Sequence, residues 1–265
     1  MKRRSWQGSR SVITGASSGI GTAFAHRLAG DGARLLLTGR RVDSLDEVAS
    51  KCRASGAEVE TVAGDLTDPG VQTRIAAAAA SRLGGVDLLV HSAGISTSAL
   101  FAEVEPKVLR DVMEINFFSL VELTRLLLPS LIDRRGHIVV LSSLTGLVGT
   151  PTRSVYAASK HALHGMFSGL RVELRQHEVG VTIMCPGYVD TPIRERALLA
   201  DGTSQGVDPV AGRPMLSADQ VARVGLRAAS REKRLVLMGR ETWLARGLSL
   251  VAPSLLDRVL ERSTD

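Results

Sequence analysis

The sequence reads Ser11-Val-Ile-Thr-Gly-Ala-Ser-Ser-Gly-Ile-Gly21 near its start, where a short apolar run leads into a glycine-rich turn and then a helical pattern. Gly15 permits a tight turn, Gly19 lets the backbone approach a pyrophosphate, and Gly21 lets the helix pack closely on a sheet. The N-terminus of the helix attracts negative charge. A glycine-rich turn alone is weak evidence, but one set between a strand and a helix predicts a dinucleotide site.

The alternation that begins at this turn continues along the chain. Short, nearly continuous apolar runs alternate with helical patterns, and such runs are typical of parallel strands that are buried on both faces. The pattern predicts an α/β fold, a Rossmann-like doubly wound parallel sheet of seven strands with helices on both faces, and ligands at the carboxyl ends of the strands. The predicted strands are residues 11–14, 34–38, 58–62, 86–90, 137–141, 181–185 and 235–238.

Length and composition narrow the class of protein. A chain of 265 residues can bury one large core, so we predict a single domain over residues 1–265, with its core at 8–240. The formal charge of +6 suggests nucleic acid, yet the arginines are scattered and aromatic residues make up only 3%. This composition lacks a stacking platform for bases, and an anionic small molecule fits the charge better.

The compartment is predicted from three features. No uncharged apolar run approaches the roughly 20 residues of a membrane span. The basic start enters a strand without an apolar signal core. Cys52 and Cys185 match neither a C-x-x-C pair nor a disulfide framework and are predicted to be free thiols. We therefore expect a cytoplasmic protein.

The end of the second strand predicts which dinucleotide is bound. An NAD enzyme usually places an acidic side chain there, whereas this chain has Arg40 and Arg41. A guanidinium would pair with a 2′-phosphate, so NADP(H) is predicted over NAD(H), with Arg40 as the main contact and Arg41 or Ser17 assisting. The alternative is that both arginines form a solvated strand end.

Asp65 follows the third strand and has two interpretations. Its carboxylate could accept a hydrogen bond from the adenine amino group. Alternatively, it caps the helix that Thr67-Asp-Pro69 announces.

The stretch 154–161, Ser-Val-Tyr-Ala-Ala-Ser-Lys-His, carries the candidate chemistry. Tyr156 and Lys160 are four residues apart at the start of a predicted helix, so their side chains project from one face. An ammonium beside a phenol favours the phenolate and lowers the pKa of the tyrosine, which makes Tyr156 a candidate acid/base. On spacing alone, however, the pair also fits a solvated helix face.

Taken together, the motifs resemble those of the short-chain dehydrogenase/reductases over about residues 8–240. The matching motifs are Thr14-Gly-x-x-x-Gly-x-Gly21, Ser92-Ala-Gly94, Asn116, Ser143, Tyr156-x-x-x-Lys160 and Pro186-Gly187. The resemblance implies strand order 3-2-1-4-5-6-7, a nicotinamide cofactor, and interconversion of a carbonyl and an alcohol. It also implies a dimer or tetramer formed through the helices of Tyr156 and Asn116.

The same resemblance implies a role for each site residue. Tyr156 is the acid/base, Lys160 holds the nicotinamide ribose and lowers the pKa of Tyr156, Ser143 hydrogen-bonds the substrate oxygen, and Asn116 holds a water that relays protons to Lys160. No metal is implied. The predicted cofactor-binding residues are Gly15, Ser17, Ser18, Gly19, Ile20, Gly21, Arg40, Arg41, Asp65, Leu66, Ser92, Ala93, Gly94, Tyr156, Lys160, Pro186, Gly187, Val189 and Thr191.

Two neighbouring serines, Ser142 and Ser143, could donate to the substrate oxygen. Ser143 is preferred to Ser142 as the substrate-oxygen donor because its interval to Tyr156 is that of the family, and Ser142 should point the other way. His91-Ser-Ala-Gly94 departs from the family's usual Asn-Asn-Ala-Gly or Asn-Ala-Ala-Gly, which removes side-chain amides that tie neighbouring strands. His91 is predicted to be a satisfied buried histidine.

The region after the sixth strand loses clear periodicity, and residues 187–218 are predicted to form a lid. Tyr188, Thr191 and Ile193 are expected to touch cofactor or substrate. Two interpretations remain for Arg194, Arg196 and Arg213, namely recognition of an anionic substrate group and a solvated loop. A metal site at His161, His164 and His177 is disfavoured because no carboxylate or thiol shows a matching interval.

The tail, residues 241–265, predicts two short amphipathic helices split by Pro253. They could wall an apolar pocket, pack on another subunit or touch a membrane. Three arginines against four acids make membrane contact the weakest choice. The predicted apolar set is Trp243, Leu244, Leu248, Val251, Leu255, Leu256, Val259 and Leu260.

A less specific resemblance concerns the substrate. The lid stretch 200–207 with this tail looks like the acyl-dihydroxyacetone-phosphate reductase-like and 11β-hydroxysteroid-dehydrogenase-like branch, which favours a lipid or steroid-like carbonyl or alcohol. The alternative function is a non-catalytic NADP(H)-binding sensor or scaffold, although such proteins usually lose the tyrosine, lysine or serine. A nucleic-acid-binding role ranks third.

Overall fold

The computed structural model describes residues 4–262, which contain a parallel sheet of seven strands and a separate two-stranded pair. The sheet order is β3-β2-β1-β4-β5-β6-β9, which confirms the predicted order, with β9 as the seventh predicted strand. The strands are β1 Arg10–Thr14, β2 Arg34–Gly39, β3 Glu58–Ala63, β4 Leu88–His91, β5 His137–Leu141, β6 Gly180–Pro186, β7 Val189–Asp190, β8 Leu216–Ser217 and β9 Leu235–Met238.

Helices connect the strands and cover both faces of the sheet. Two of them begin at side-chain caps, because Asp68 accepts a hydrogen bond from the backbone of Gly70, and Ser217 forms a capping box with Gln220. The helices are α1 Gly19–Gly30, α2 Val42–Ala54, α3 Pro69–Ala78, α4 Pro106–Met113, α5 Ser119–Asp133, α6 Ser154–Glu173, α7 Ala218–Ser230, α8 Arg240–Val251 and α9 Pro253–Glu261.

The core forms on both faces of the sheet because successive strand residues point in opposite directions. In β1, Ile13 packs with the helices α1, α2 and α7, whereas its neighbour Val12 packs with α3, α5 and α6. Burial of each such side chain stabilises the fold by about 1.5–3 kcal/mol. This double coverage explains why the strands read as continuous apolar runs.

Within residues 4–262, Pro106–Asp133 is the helical stretch that is long and apolar enough to cross a membrane by length and composition. Only 39% of its most apolar window is buried, yet Leu120, Leu127 and Leu131 pack in the core. A core helix passes the same test, so this is weak evidence for a span.

The tail forms the two predicted helices, and α9 begins at Pro253. Of the three alternatives for the tail, a pocket wall does not fit these side chains, because Trp243, Leu244 and Val251 are mostly exposed. Among the large apolar residues of the described tail, 241–262, Leu256 is the one that is buried. On α8 the polar residue Thr242 faces inward instead, where its hydroxyl donates to the Met238 carbonyl.

Candidate active site

The glycine turn between β1 and α1 is open at its surface because side chains are absent there. Gly15 and Gly19 have φ angles of +64° and +56°, which other residues rarely adopt. A Cβ atom at Gly15 would lie 2.8 Å from the Ala93 Cα, and one at Gly21 would lie 2.3 Å from the Gly15 carbonyl oxygen. The turn therefore presents backbone N–H groups at the start of α1, which is the cradle that a pyrophosphate needs.

A cleft of about 700 Å³ opens in front of this turn. It runs from the end of β2 across the turn to the segment that follows β4, and residues 191–193 cover it from the other side. This shape fits a dinucleotide. The predicted cofactor residues that line it are Gly15, Ser17, Ser18, Gly19, Ile20, Arg40, Arg41, Asp65, Leu66, Ser92, Ala93, Gly94 and Thr191.

Several predicted cofactor residues lie outside the lining of this cleft. Gly21 is buried behind the turn. Tyr156 and Lys160 are buried in the first turns of α6, and Gly187 is packed against the Glu241 side chain. Pro186 and Val189 are also buried, beside Gly187. The structure thus brings most of the residues predicted for the adenosine and phosphate contacts together in one cleft. The residues predicted for the nicotinamide end are buried and do not line this cleft.

Arginines gather at the adenosine end of the cleft. Arg41 Nη2 donates to the Ser17 carbonyl at 2.9 Å, whereas Arg40 Nη1 lies 3.7 Å from Asp65 Oδ2. Burial lowers the pKa of Arg41, and repulsion from Arg196 and Arg40 adds to this. The structure therefore places Arg41, rather than Arg40, against the glycine turn. A third cation, Arg196 of segment 187–218, lies nearby.

Asp65 does not cap a helix, so that interpretation is wrong. Its Oδ1 accepts hydrogen bonds from the backbone and the hydroxyl of Thr67, at 3.0 and 2.9 Å. The cap of α3 is Asp68, which accepts from the Gly70 N–H at 2.7 Å. Asp65 instead lines the cleft and attracts Arg40.

The candidate catalytic side chains meet where β5 ends against α6. The Ser143 side chain interacts with the Tyr156 phenol and lowers its pKa, and Lys160 Nζ lies 5.7 Å from the centre of the Tyr156 ring. Ser142 points elsewhere, as predicted from strand alternation, and its Oγ lies 2.9 Å from His164 Nε2. The tyrosine and serine are therefore placed to act on one oxygen atom.

The ionisation of this group differs from the prediction. Burial raises the pKa of Tyr156. The groups that lower this pKa, and so oppose the effect of burial, are Ser143 and Arg153 rather than Lys160. Lys160 donates to the Leu141 carbonyl at 2.9 Å, and burial lowers its own pKa to about 8. Burial removes water from around both side chains and so disfavours their charged forms. The spacing of residues in the sequence does not predict this effect.

Asn116 lies in a π-helical turn, Glu114–Phe118, between α4 and α5. Its side chain exchanges two hydrogen bonds with the Ile95 backbone and donates a third to Ser159 at 2.9 Å. The amide thus joins the segment after β4 to α6. Gly94, in that segment, lies close to Lys160, because a Cβ atom at Gly94 would be 3.4 Å from Lys160 Nζ.

Segment 187–218 is closed at its base by β7 and β8, which pair in parallel. Leu198 pairs with Thr97, so the segment also contacts the loop after β4. Thr191 lies against Gly19 and, with Ile193, lines the cleft, whereas Tyr188 packs near Arg194.

The two interpretations offered for the arginines of this segment are both wrong for Arg194. It is buried and holds Asp208 with two hydrogen bonds. Arg196 is exposed and lines the cleft, and Arg213 is exposed. The segment therefore contains one structural arginine, Arg194, and one at the cleft, Arg196.

His91 is fully buried and lies against Thr124. His91 Nε2 lies 2.7 Å from the hydroxyl of Thr124, which itself donates to the Leu120 carbonyl, so His91 carries its proton on Nε2. Its Nδ1 has no partner among the described residues, so His91 is only half satisfied, and burial lowers its pKa to about 3. Within residues 4–262 no cluster of three or more His, Cys, Asp or Glu residues could hold a metal ion.

The sequence patterns did not predict two residues near the site, Arg153 and Glu241. Arg153 approaches Tyr156 and donates to Ser96, and its spacing of three residues from Tyr156 was the available signal. Glu241 Oε1 accepts from the Tyr188 N–H at 3.2 Å, which ties the start of α8 to the segment after β6. That contact joins residues 53 positions apart and has no local signal.

Comparison with known proteins defines the class. The family model described as short chain dehydrogenase matches residues 10–201. A Bos taurus protein, Dehydrogenase/reductase SDR family member 7B, is 40% identical over 257 residues, covering 94% of this chain and 79% of the relative. An 11-beta-hydroxysteroid dehydrogenase A from Sesamum indicum is 37% identical over 233 residues, covering 85% of this chain and 66% of the relative.

Solved structures show the same architecture. A short chain dehydrogenase/reductase from Burkholderia phymatum in complex with NAD has a TM-score of 0.83 and 27% identity, covering 94% of this chain and 95% of its own. A short chain dehydrogenase from Burkholderia cenocepacia in complex with NADP has a TM-score of 0.81 and 26% identity, covering 98% and 99%. The chain belongs to the short-chain dehydrogenase/reductase family and is an NAD(P)-dependent oxidoreductase.

Proposed function

We propose that the protein is an NADP(H)-dependent oxidoreductase that interconverts a carbonyl and a secondary alcohol on a small or lipid-like hydrophobic substrate, with Tyr156 as the acid/base. The observation that carries this proposal is the convergence of Ser143 and Tyr156 beside Lys160, with Ser143 lowering the pKa of the phenol and Lys160 Nζ 5.7 Å from the centre of its ring. When bound, the nicotinamide supplies or accepts the hydride. A buried hydroxyl pair of this kind is suited to the oxygen atom at which charge changes.

The chain's own residues have distinct tasks in this reaction. Ser143 donates a hydrogen bond to the substrate oxygen, and Tyr156 gives that oxygen a proton during reduction or takes it during oxidation. Lys160 supplies positive charge near the phenol and, in the proposed complex, holds the nicotinamide ribose. Asn116 keeps the segment at Gly94 in register with α6 through its hydrogen bonds to Ile95 and Ser159.

The preference for NADP(H) is supported by charge at the adenosine end of the cleft. Arg40, Arg41 and Arg196 all line it, and Asp65 is the carboxylate that approaches one of them. A 2′-phosphate would neutralise this excess of positive charge. The structural relatives with NAD and with NADP show that the fold accepts either cofactor.

A hydrophobic substrate is supported by one of the relatives, whose name refers to a hydroxysteroid. Assays of cofactor oxidation and reduction against steroid, acyl and small aldehyde or ketone compounds would identify the class. Activity confined to small hydrophilic carbonyls would contradict the lipid-like part of the proposal.

The cellular and oligomeric state is also a proposal. We propose a cytoplasmic location. We also expect a homodimer or homotetramer, because Phe118, Leu126 and Val172 are exposed apolar residues on the turn before α5, on α5 and on α6. Light scattering on the purified chain measures the mass directly, and a monomer at micromolar concentration would contradict this expectation.

The deciding experiment replaces Tyr156 by Phe. We expect turnover to fall at least a thousandfold while the dissociation constant for NADPH stays within about threefold, since proton transfer is lost and the cofactor cleft is unchanged. Turnover that survives in Tyr156→Phe would exclude Tyr156 as the acid/base. Tight NADPH binding without turnover in the wild type, on every compound of the panel, would favour the alternative of a sensor or scaffold.

A further inference from the structure

Arg153 is held beside Tyr156 at the start of α6. It immediately precedes the helix, and its carbonyl accepts from the Ala157 N–H at 2.7 Å, so it belongs to the first turn. Residues three apart in such a turn lie on the same side of the helix. Its Nη1 donates to Ser96 Oγ at 2.8 Å, and Ser96 is buried in the loop after β4. The guanidinium is therefore held at this loop, on the side of α6 that carries Tyr156.

The charge of Arg153 is not matched by a carboxylate of its own. Within residues 4–262 no ion pair joins it to an acid, and Asp208, which attracts it at longer range, is held by two hydrogen bonds from Arg194. Burial lowers the pKa of Arg153. A partly buried cation without a counter-ion is costly unless negative charge appears near it.

The groups around Tyr156 show where that negative charge arises. Arg153 is the cation that lowers the pKa of Tyr156 against the effect of burial, and ionised Tyr156 is the largest attraction on Arg153. Lys160 on the same helix donates to the Leu141 carbonyl, and Ser143 at the end of β5 interacts with the phenol. The other titratable groups near this cluster are Tyr188, Arg194 and Asp208 beside Arg153, and His164 and Cys185 beside Lys160.

We propose that Arg153 is a second cation of the active site, whose guanidinium stabilises negative charge on the phenolic oxygen of Tyr156. Arg153 acts on the reaction through Tyr156 and is a positioning residue in that sense. The inference rests on the proposed role of Tyr156. It assigns Ser96 the task of holding the guanidinium at a fixed place.

The composition of the chain allows a direct test, because it has only two tyrosines, Tyr156 and Tyr188. Protein labelled with carbon-13 at the tyrosine Cζ gives two resonances, and Tyr188→Phe assigns them. Each phenol is then titrated between pH 6 and the onset of alkaline unfolding, without substrate or cofactor. The set comprises wild type, Arg153→Gln, Arg153→Lys, and the control Arg175→Gln, which removes an equal charge from an exposed site near the other end of α6.

We expect Arg153→Gln to raise the midpoint of Tyr156 by about one pH unit or more, a tenfold change in its ionisation constant. Arg153→Lys keeps the charge and should stay within about half a unit of wild type, as should the control. Equal midpoints in wild type and Arg153→Gln would overturn the inference. So would equal shifts in Arg153→Gln and Arg153→Lys, which indicate a hydrogen-bonding role alone, or a wild-type Tyr156 that remains protonated until the chain unfolds.

This outcome is separable from that of the proposed function. An unshifted Tyr156 in Arg153→Gln, together with lost turnover in Tyr156→Phe, would reject the inference and keep the function. A shifted midpoint with full turnover in Tyr156→Phe would do the reverse. As a second readout, the tyrosine limb of the pH profile of kcat/KM for alcohol oxidation should move to higher pH in Arg153→Gln and stay in place in Arg153→Lys.

Discussion

The guanidinium of Arg194 and the carboxylate of Asp208 face each other with two parallel contacts, Nε to Oδ1 at 2.8 Å and Nη2 to Oδ2 at 2.7 Å. Arg194 Nη1 also donates to the Val189 carbonyl at 3.0 Å. The pair therefore joins the middle of segment 187–218 to its base at β7. Two-point contacts of this kind combine strength with a fixed geometry.

Breaking this pair should loosen segment 187–218 while the sheet stays folded. Asp208→Asn leaves the Arg194 guanidinium nearly buried without a counter-charge, which costs about 3 kcal/mol locally. Hydrogen exchange of amides in the segment should accelerate by about a hundredfold, and the KM for the cofactor should rise. Asp219→Asn, which removes the exposed partner of Arg27, is the control and should leave these rates unchanged. Equal exchange in both variants would contradict the prediction.

The same pair should weaken in acid. Hydrogen bonds from Arg194 lower the pKa of Asp208 below its ordinary value. Its contribution is therefore complete above the unfolded pKa of about 3.9 and is lost as pH falls through the lower folded value. Proteolysis of segment 187–218 by an acid-active protease should rise in that range in wild type and be less dependent on pH in Asp208→Asn.

Global stability should fall in mild acid because burial lowers the pKa of three histidines. The pKa falls to about 3 for His91 and His137 and to about 4 for His164, whereas unfolded histidine titrates near about 6.5. The unfolded chain binds more protons between these values, so stability is complete above about pH 6.5 and falls toward pH 3. Each histidine should cost about 1.4 kcal/mol at pH 5.5.

Urea unfolding at pH 7.5 and 5.5 measures this loss. His91→Asn introduces the amide that is usual in the family and should remove about a third of the difference between the two pH values, since His137 and His164 contribute the rest. The control is His26→Asn on α1, because this histidine is exposed and should contribute less. A pH difference that His91→Asn leaves intact would count against a neutral His91.

Cofactor preference should depend more on Arg41 than on Arg40. Arg41 contacts the glycine turn, whereas Arg40 is drawn toward Asp65. Arg41→Ala should raise the KM for NADPH about tenfold or more and leave that for NADH nearly unchanged, since a charged hydrogen bond contributes about 1.5–3 kcal/mol. Arg40→Asp should also affect NADPH more than NADH. Equal effects on both cofactors would remove these arginines from the 2′-phosphate site, and Lys51→Gln on α2 is the exposed control.

The tail should be anchored mainly by one side chain. Leu256 is buried, whereas Val259, on the same helix, is half exposed. Leu256→Ala should destabilise the docking of α9 by about 2–3 kcal/mol, and Val259→Ala by less than about 1 kcal/mol. Hydrogen exchange in residues 253–261 distinguishes them, and similar exchange in both variants would indicate that another surface covers Val259.

Much of the fold could be predicted from local patterns. The apolar runs located the strands of the sheet because strands buried on both faces must be apolar throughout. The glycine turn was recognisable because only glycine tolerates the backbone angles and close contacts at Gly15 and Gly21. The short strands β7 and β8 were not predicted, since two-residue strands carry no periodicity.

The candidate site was predicted in part for the same reason. Tyr156 and Lys160 share a face through helical spacing alone, which a sequence displays directly. Their ionisation was not predictable, because the pKa of each depends on burial by elements distant in the chain. Arg194 was misread for a similar reason, since its partner Asp208 is 14 residues away in a stretch without periodicity.

By itself, the sequence determined the order of strands and helices, the open glycine turn and the spacing of the reactive side chains, because these depend on backbone sterics and on periodicities of two and 3.6 residues. Only the tertiary structure decided that Arg41 rather than Arg40 meets the turn, that Asn116 joins Ile95 to Ser159, and that Arg153 donates to Ser96. Those contacts depend on side-chain directions and on loss of water between elements far apart in the chain, and neither quantity is encoded in a local pattern.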